Sequence, residues 1–395
     1  MIRQEISGRR PRPLALGLAL AGVLALAGCS TLSDTMDALN PFASSGPKMA
    51  PLEPIKTTAD VRARWTASAG KAGDYVFAPA VAGNSVYVAG SNGTIARLDD
   101  GAAIWRINAG QPLSAGVGSD GSTVVVGTPK GEVLAFAAGD GKPLWQARVS
   151  SEVLAAPAVS SDGVAVRSGD NRVFLFDAKG QRKWVYQRTT PPLSLRSAAP
   201  PVFAEKYLFV GFPGGKLAAL DLKNGAPAWE GTVALPKGTT ELDRVADIVS
   251  MPVIDGQEVC AVAFQGRVAC FDLGQGGQLT WARDFSSAVG LALDGRYLFV
   301  TDDKGGVHAL DRRTGASVWK QDKLFNRRVS APIVKRGLVM VTDGEGVVHF
   351  LSREDGAFAA RVQTDGTAVM TPPQAVGSAF LVQTRGGTVM ALDAQ

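Results

Sequence analysis

All seven tryptophans of this 395-residue chain occupy one recurring position: Trp65, Trp105, Trp145, Trp184, Trp229, Trp281 and Trp319. Their spacings are 40, 40, 39, 45, 52 and 38 residues. Phe358 follows 39 residues after Trp319, in "EDGAFAA" set against "RTGASVW", and counts as an eighth aromatic. Upstream of each aromatic from Trp105 onward lies a near-copy of one phrase, such as "LAFAAGDGKPLW", "LAALDLKNGAPAW" or "VHALDRRTGASVW". The last copy, "VMALDAQ", has its Asp393 but no aromatic after it, whereas Trp65 has the aromatic but no phrase before it. Joined end to end, the two complete an eighth copy.

Each copy reads as four short strands. An apolar segment after a Pro ("APAVAG", "MPVIDG", "SAPIVK") leads into a β-branched run such as "VYVAG" or "LFVGF". A Gly-centred turn, the "ALD" strand, another turn and the aromatic strand complete the unit. Short alternating runs punctuated by Gly, Asn and Asp are strand and hairpin signals. A period near 40 with four strands describes propeller blades. The sequence therefore predicts an all-β, eight-bladed β-propeller over residues 58–395. Its ring is closed by pairing the N-terminal strand around Trp65 with the C-terminal strands around "GTVMALD", which removes the open sheet edges. The tryptophans are then packing residues between blades.

The formal charge of +5 gives little reason to propose a nucleic-acid partner, because Arg3, Arg9, Arg10 and Arg12 against Glu5 account for +3 of it. Those arginines precede the apolar run "PLALGLALAGVLALAGCS", and a charged start, short apolar core and small residues describe a bacterial export signal over residues 1–28. "LAGC" resembles a lipobox, which makes Cys29 the expected lipidated N-terminus. Ser30 after it implies, in that resemblance, sorting to the outer membrane. Residues 29–57, rich in Ser, Pro and Ala, read as a lipidated N-terminus and flexible tether.

The chemical inventory is thin. His308 and His349 are the two histidines and share one repeat position, as expected of a packing slot. They assemble no nucleophilic triad and no metal site, and no phosphate-cradling or calcium-loop motif occurs. No catalytic residue, metal or cofactor is expected. Cys260 and Cys270 flank a hairpin: a three-residue loop (264–266) lets them face each other and bond, and a two-residue loop does not. An even pair in an exported chain favours a structural bridge.

The phrase "ALDxxTGxxxW" resembles the pyrroloquinoline-quinone type of propeller repeat, shared with quinone-dependent alcohol dehydrogenases. Those enzymes carry an adjacent Cys-Cys pair and an acidic calcium site, and this chain has no adjacent cysteines. A quinone-dependent oxidoreductase and a sugar-binding propeller are the alternative readings. Lipobox, tether and eight such blades together are similar to the BamB family of outer-membrane-protein assembly lipoproteins. That resemblance implies a non-catalytic scaffold, anchored by lipid on the periplasmic side of the outer membrane. Its implied partners are the POTRA domains of BamA, other subunits of the complex and unfolded outer-membrane proteins.

Two intervals exceed the usual spacing, and their extra residues lie in "PPLSLRSAAPP" (191–201) and "LPKGTTELDRVADIVSMP" (235–252). Both join an aromatic strand to the next blade's first strand, so both belong on one face, in adjacent connections. Long loops on a rigid scaffold are where binding tends to reside. The resemblance implies that Leu193, Leu195 and Arg196, then Asp243, Arg244 and Asp247, form the surface that meets BamA. Asp247 is expected either to orient Arg196 or to meet a basic residue of the partner. Val249 stands where the family pattern has a second acidic residue.

Overall fold

Among the described residues, the β-branched runs and Gly-centred turns form thirty-two strands, β1 to β32, in eight four-stranded antiparallel sheets. The computed structural model describes residues 48–395; the expected signal segment, Cys29 and most of the tether lie outside the described residues. Seven sheets are continuous meanders, spanning residues 80–108, 118–148, 158–186, 202–232, 253–285, 291–321 and 333–363, here blades 1 to 7. Blade 8 is composite: β30 (Gln374–Val376), β31 (Ala379–Gln383) and β32 (Thr388–Ala394) are completed by β1 (Val61–Ser68). The pairing runs antiparallel from Val61 opposite Ala394 to Ser68 opposite Thr388. Neighbouring blades pack in turn through shared apolar clusters, including blade 8 on blade 1, whose inner strands also touch, so the ring closes. Eight blades and the split seam match the sequence expectation.

The two middle strands of each blade are apolar on both faces because each blade is sandwiched between two others. The core is accordingly divided into eight clusters, one per blade interface. At seven interfaces a tryptophan of the outer strand rests on a glycine in the next blade's turn between third and fourth strands: Trp65 on Gly101, Trp105 on Gly141, Trp145 on Gly180, Trp184 on Gly225, Trp229 on Gly277, Trp281 on Gly315 and Trp319 on Gly356. A methyl group built on those glycines would lie within 1.9–3.1 Å of the neighbouring tryptophan side chain or, at Gly141, of Ile107 beside it. All seven glycines have φ between +70° and +82°, where L side chains are strained. Both constraints fall on one residue, which is why the repeat reads Gly there. Five of the indoles also donate to a carbonyl of that turn, as Trp184 Nε1 does to Leu222 O at 3.0 Å. Trp145 Nε1 is buried without a partner. The turn it meets, Asp177 to Gly180, is one residue shorter than the Asp221 to Gly225 turn.

The eighth interface departs from the sequence expectation. Opposite Phe350, where the repeat places a tryptophan, stands Ala360; Phe358 pairs with Leu351 two residues earlier and is not the equivalent of Trp319. The reason is the seam. Blade 8 has no turn between β32 and β1, so there is no glycine for a ring to cover. The incoming chain occupies the place instead: Thr58 N and Ala59 N donate to Ala359 O at 2.8 and 3.2 Å, and Asp60 and Gln395 exchange backbone hydrogen bonds of 3.0 Å. Asp393, whose counterparts cap a turn in other blades, pairs with Arg64 across the seam.

The last part of the expected tether is also bound. Leu52 packs on the apolar cluster between blades 6 and 7, Ala50 N donates to Phe325 O at 2.9 Å, and Lys323 meets Glu53 at 2.9 Å. Arg327, buried beside Asp343 at 2.7 Å, donates to Ala50 O at 2.9 Å. Burial alone would raise the Asp343 carboxyl, but hydrogen bonds from His349, the Val347 amide and Arg327 hold it down to about 2. His308 meets Asp302 in the same way in blade 6, so both histidines brace the turn that precedes their strand.

Cys260 and Cys270 face each other across the second and third strands of blade 5 and are joined by a disulfide. Ala263 N donates to Arg267 O, leaving a three-residue loop. Both cysteines are fully buried, as a structural staple would be.

The tryptophan–glycine contact makes a specific prediction. Gly225→Ala adds a methyl 2.6 Å from Trp184 at φ +73°, whereas Gly256→Ala, at φ +59°, meets nothing within 4 Å. Both carry the positive-φ cost of about 1 kcal/mol, and overpacking adds about 1–3 kcal/mol to the first alone. Urea denaturation should therefore show Gly225→Ala less stable than Gly256→Ala by at least about 1 kcal/mol.

Candidate docking face

Alternating strand direction puts two kinds of segment on the same face of the ring: the connections from outer strand to next inner strand, and the turns between second and third strands. The two long connections, 187–201 and 233–252, lie on this face side by side. Each has a buried base and an exposed tip.

The base of the second connection is Val245, Ala246, Asp247 and Ile248, all buried, with Ala246 and Ile248 in the apolar cluster between blades 4 and 5. Asp247 is 1% exposed. Its Oδ2 accepts Leu195 N at 2.7 Å and its Oδ1 accepts Gly214 N at 3.0 Å, while its carbonyl accepts Phe264 N at 2.9 Å. One residue thus joins the first long connection to turns of blades 4 and 5. Asp247 does not touch the Arg196 guanidinium, and it is buried rather than open to a basic group from outside. It fixes the backbone one residue before Arg196. Val249, two residues after Asp247, turns its carbonyl to Ser197 Oγ at 3.4 Å and lines the central cavity.

The tips are open. Leu193 is 40% exposed, Leu195 is half-buried, and the Arg196 side chain is 73% exposed. Arg196 Nη2 donates to Glu152 Oε1 at 3.0 Å, from the connection before blade 3, leaving most of its donor fork free. The Ser151 hydroxyl, the Glu152 amide and Arg196 together hold the Glu152 carboxyl below its usual range. In the second tip Asp243 accepts from Thr240 N at 3.1 Å while its own amide donates to Thr240 Oγ1 at 3.1 Å, and Arg244 donates to Gly238 O at 3.2 Å. Asp243 and Arg244 are exposed but spent on shaping their own loop. The loop also presents two leucines outward, Leu235 at 58% and Leu242 at 71% exposed, among exposed polar residues that include Lys237 and Glu241.

The structure therefore brings Leu193, Leu195, Arg196 and Asp247 into one assembly and sets Asp243 and Arg244 beside it. Sequence reasoning missed Glu152, Leu242 and Arg167. Arg167 had a signal: it ends the second strand of blade 3, where the other blades carry Ala89, Gly127, Gly211, Val262, Thr301, Thr342 and Gln383. A charge at a position otherwise small or neutral marks a local demand.

Beside these loops the mouth of the central channel opens as a cavity of about 400 Å³, lined by Leu195, Val249, Met251, Val289, Ala331 and Met370 among others. Among the described residues one group of potential metal ligands converges, Glu258 with Cys260 and Cys270, and both sulfurs are held in the disulfide. Among the described residues no helix is long and apolar enough to cross a membrane.

Residues 91–321 match a family model described as outer membrane protein assembly factor BamB. The protein of that name from Bordetella pertussis is 44% identical over 393 residues, covering 99% of each chain. The crystal structure of BamB from Moraxella catarrhalis superposes with a TM-score of 0.79 at 26% identity, covering 85% of this chain and all of that one. A quinohemoprotein alcohol dehydrogenase from Comamonas testosteroni matches at 13% identity and a TM-score of 0.67, covering 84% of this chain and 76% of its own. That likeness is one of fold alone.

A buried joint and an exposed tip answer differently to truncation. Asp247→Ala leaves two half-buried amides without acceptors and the buried Arg167 without its balancing charge, and should lower the unfolding free energy by about 3–5 kcal/mol. Arg196→Ala should change it by no more than about 0.5 kcal/mol. Denaturant titrations of the two variants check the contrast.

Proposed function

Since the chain belongs to the BamB family of outer membrane protein assembly factors, we propose that it is a non-catalytic scaffold that docks on the POTRA domains of BamA. The carrying observation is the Arg196 tip. An exposed guanidinium with a largely free donor fork stands beside exposed Leu193 and half-buried Leu195, on a backbone fixed by buried Asp247. A preorganised Arg with apolar neighbours is the composition of an interface hot spot. Leu242 and Leu235 extend the apolar area on the adjacent loop. The partner supplies a carboxylate or backbone carbonyl to Arg196 and apolar surface to the leucines. Because Asp247 is buried, it supports the surface from beneath, and Asp243 and Arg244 act by holding the shape of their loop.

Lipid attachment at Cys29, holding the propeller on the periplasmic side of the outer membrane, belongs to the same proposal. Other subunits of the complex and unfolded barrel precursors are further partners on this reading. Nothing in the geometry favours the oxidoreductase reading.

Two outcomes test this. Arg196→Ala combined with Leu193→Ala should weaken binding to the POTRA region of BamA by about thirtyfold or more, corresponding to about 2 kcal/mol. Lys223→Ala, in an exposed turn on the opposite face, should bind as the wild type does. Equal losses in both would remove the site assignment. Cys29→Ala should shift the protein from the membrane to the soluble periplasmic fraction; retention in the outer membrane after a high-salt wash would remove the lipid anchor from the proposal.

A further inference from the structure

Among the described residues, no carboxylate directly contacts the buried cation Arg167. It is 3% exposed and lies beneath the first long connection. Its Nη1 donates to Ser197 Oγ at 3.2 Å and its Nη2 to Asn171 Oδ1 at 2.6 Å, and the guanidinium stands 5.8 Å from the centre of the Phe212 ring. Burying an isolated guanidinium is costly, and the neutral partners it touches do not balance its charge. The balancing charge is Asp247, likewise buried. Burial pulls the Arg167 guanidinium down to about 10, and the Asp247 charge opposes that pull.

Each of the two charges holds the segment of residues 195–197 at a different residue. Asp247 takes the amide of Leu195, and Arg167 takes the hydroxyl of Ser197, which also caps Ala199 N at 3.2 Å. Arg196 is therefore gripped through both of its chain neighbours while its own side chain points outward. A loop carrying a long, rotamer-rich side chain would otherwise lose conformational freedom on binding, and prior fixation removes that cost.

We infer that Arg167 is a positioning residue: with Asp247 it forms a buried clamp, opposite charges holding the residues on either side of Arg196 in the chain, that presents Arg196 to a protein partner. This rests on the reading that the Arg196 tip is the docking site. The clamp itself is a property of the free protein and can be measured without a partner.

In the isolated protein, Arg167→Met should speed amide hydrogen exchange across residues 193–199 by at least about tenfold and leave the opposite-face turns unchanged. Binding to the POTRA region should weaken by about tenfold. Arg167→Lys, which keeps the charge and one donor at a time, should recover part of both losses. A double-mutant cycle separates positioning from general stability: once Arg196 is alanine, Arg167→Met should cost little further affinity. Additive losses, or unchanged exchange in Arg167→Met, would overturn the clamp. If Arg167→Met does not fold, Ser197→Ala cuts the same link at a half-buried site; it should speed exchange and weaken binding in the same direction, and no change in either would overturn the inference. Normal binding by Arg196→Ala would instead overturn the docking-site reading, with the exchange measurement still deciding whether the clamp exists.

Discussion

The stack of an indole on a glycine turn is the contact on which the ring depends. Blades 1 to 6 each offer a tryptophan forward and a glycine backward, blade 7 offers only the glycine and blade 8 only the tryptophan, so adjacent blades interlock in one direction around the circle. The aromatic supplies a large apolar area, and the glycine allows that area to approach the backbone closely. The pairing is between blades: each turn glycine from Gly101 to Gly356 is met by the tryptophan of the blade before it. The one interface lacking a turn also lacks the tryptophan. Ala360, the chain entering at Thr58, and the Arg64–Asp393 pair take over there.

Blade number, strand order, the split eighth blade and the shared face of the long connections were legible because they follow from period and alternation. Two kinds of feature were not. The register of Phe358 was misread because an aromatic two residues away points to the same face of a strand; only pairing with Leu351 separates it from the tryptophan position. The role of Asp247 was hidden because an acidic residue in a long polar loop looks the same whether it meets solvent or two backbone amides. Its burial is decided by Ile248 and Ala246 packing under blades 4 and 5, a tertiary fact. Arg167 lay within reach of sequence reasoning, through comparison of the same strand position across all eight blades.

The two long connections show how a rigid ring carries a binding loop without exposing its core. Apolar residues at the base, Val245 to Ile248, continue the packing between blades, and the tip is closed by the mutual hydrogen bonds of Thr240 and Asp243. Leu242 is thereby held out in water by a loop with little freedom to fold over it. The same division holds in the first connection, where Ser197 and Leu195 belong to the base by their hydrogen bonds and Arg196 belongs to the tip.

The segment from Met49 to Thr57 has a mechanical meaning. The seam strand β1 is the part of the ring whose loss would open it, and it is also the first strand among the described residues. A pull arriving from residues before Met49 reaches Ala50 and its bonds to Phe325 and Arg327 first, then Leu52 in its apolar seat and Glu53 on Lys323. These contacts lie on blades 6 and 7, off the seam. They act as strain relief does on a cable, carrying the load into the body of the ring before any of it reaches the strand that keeps the ring shut.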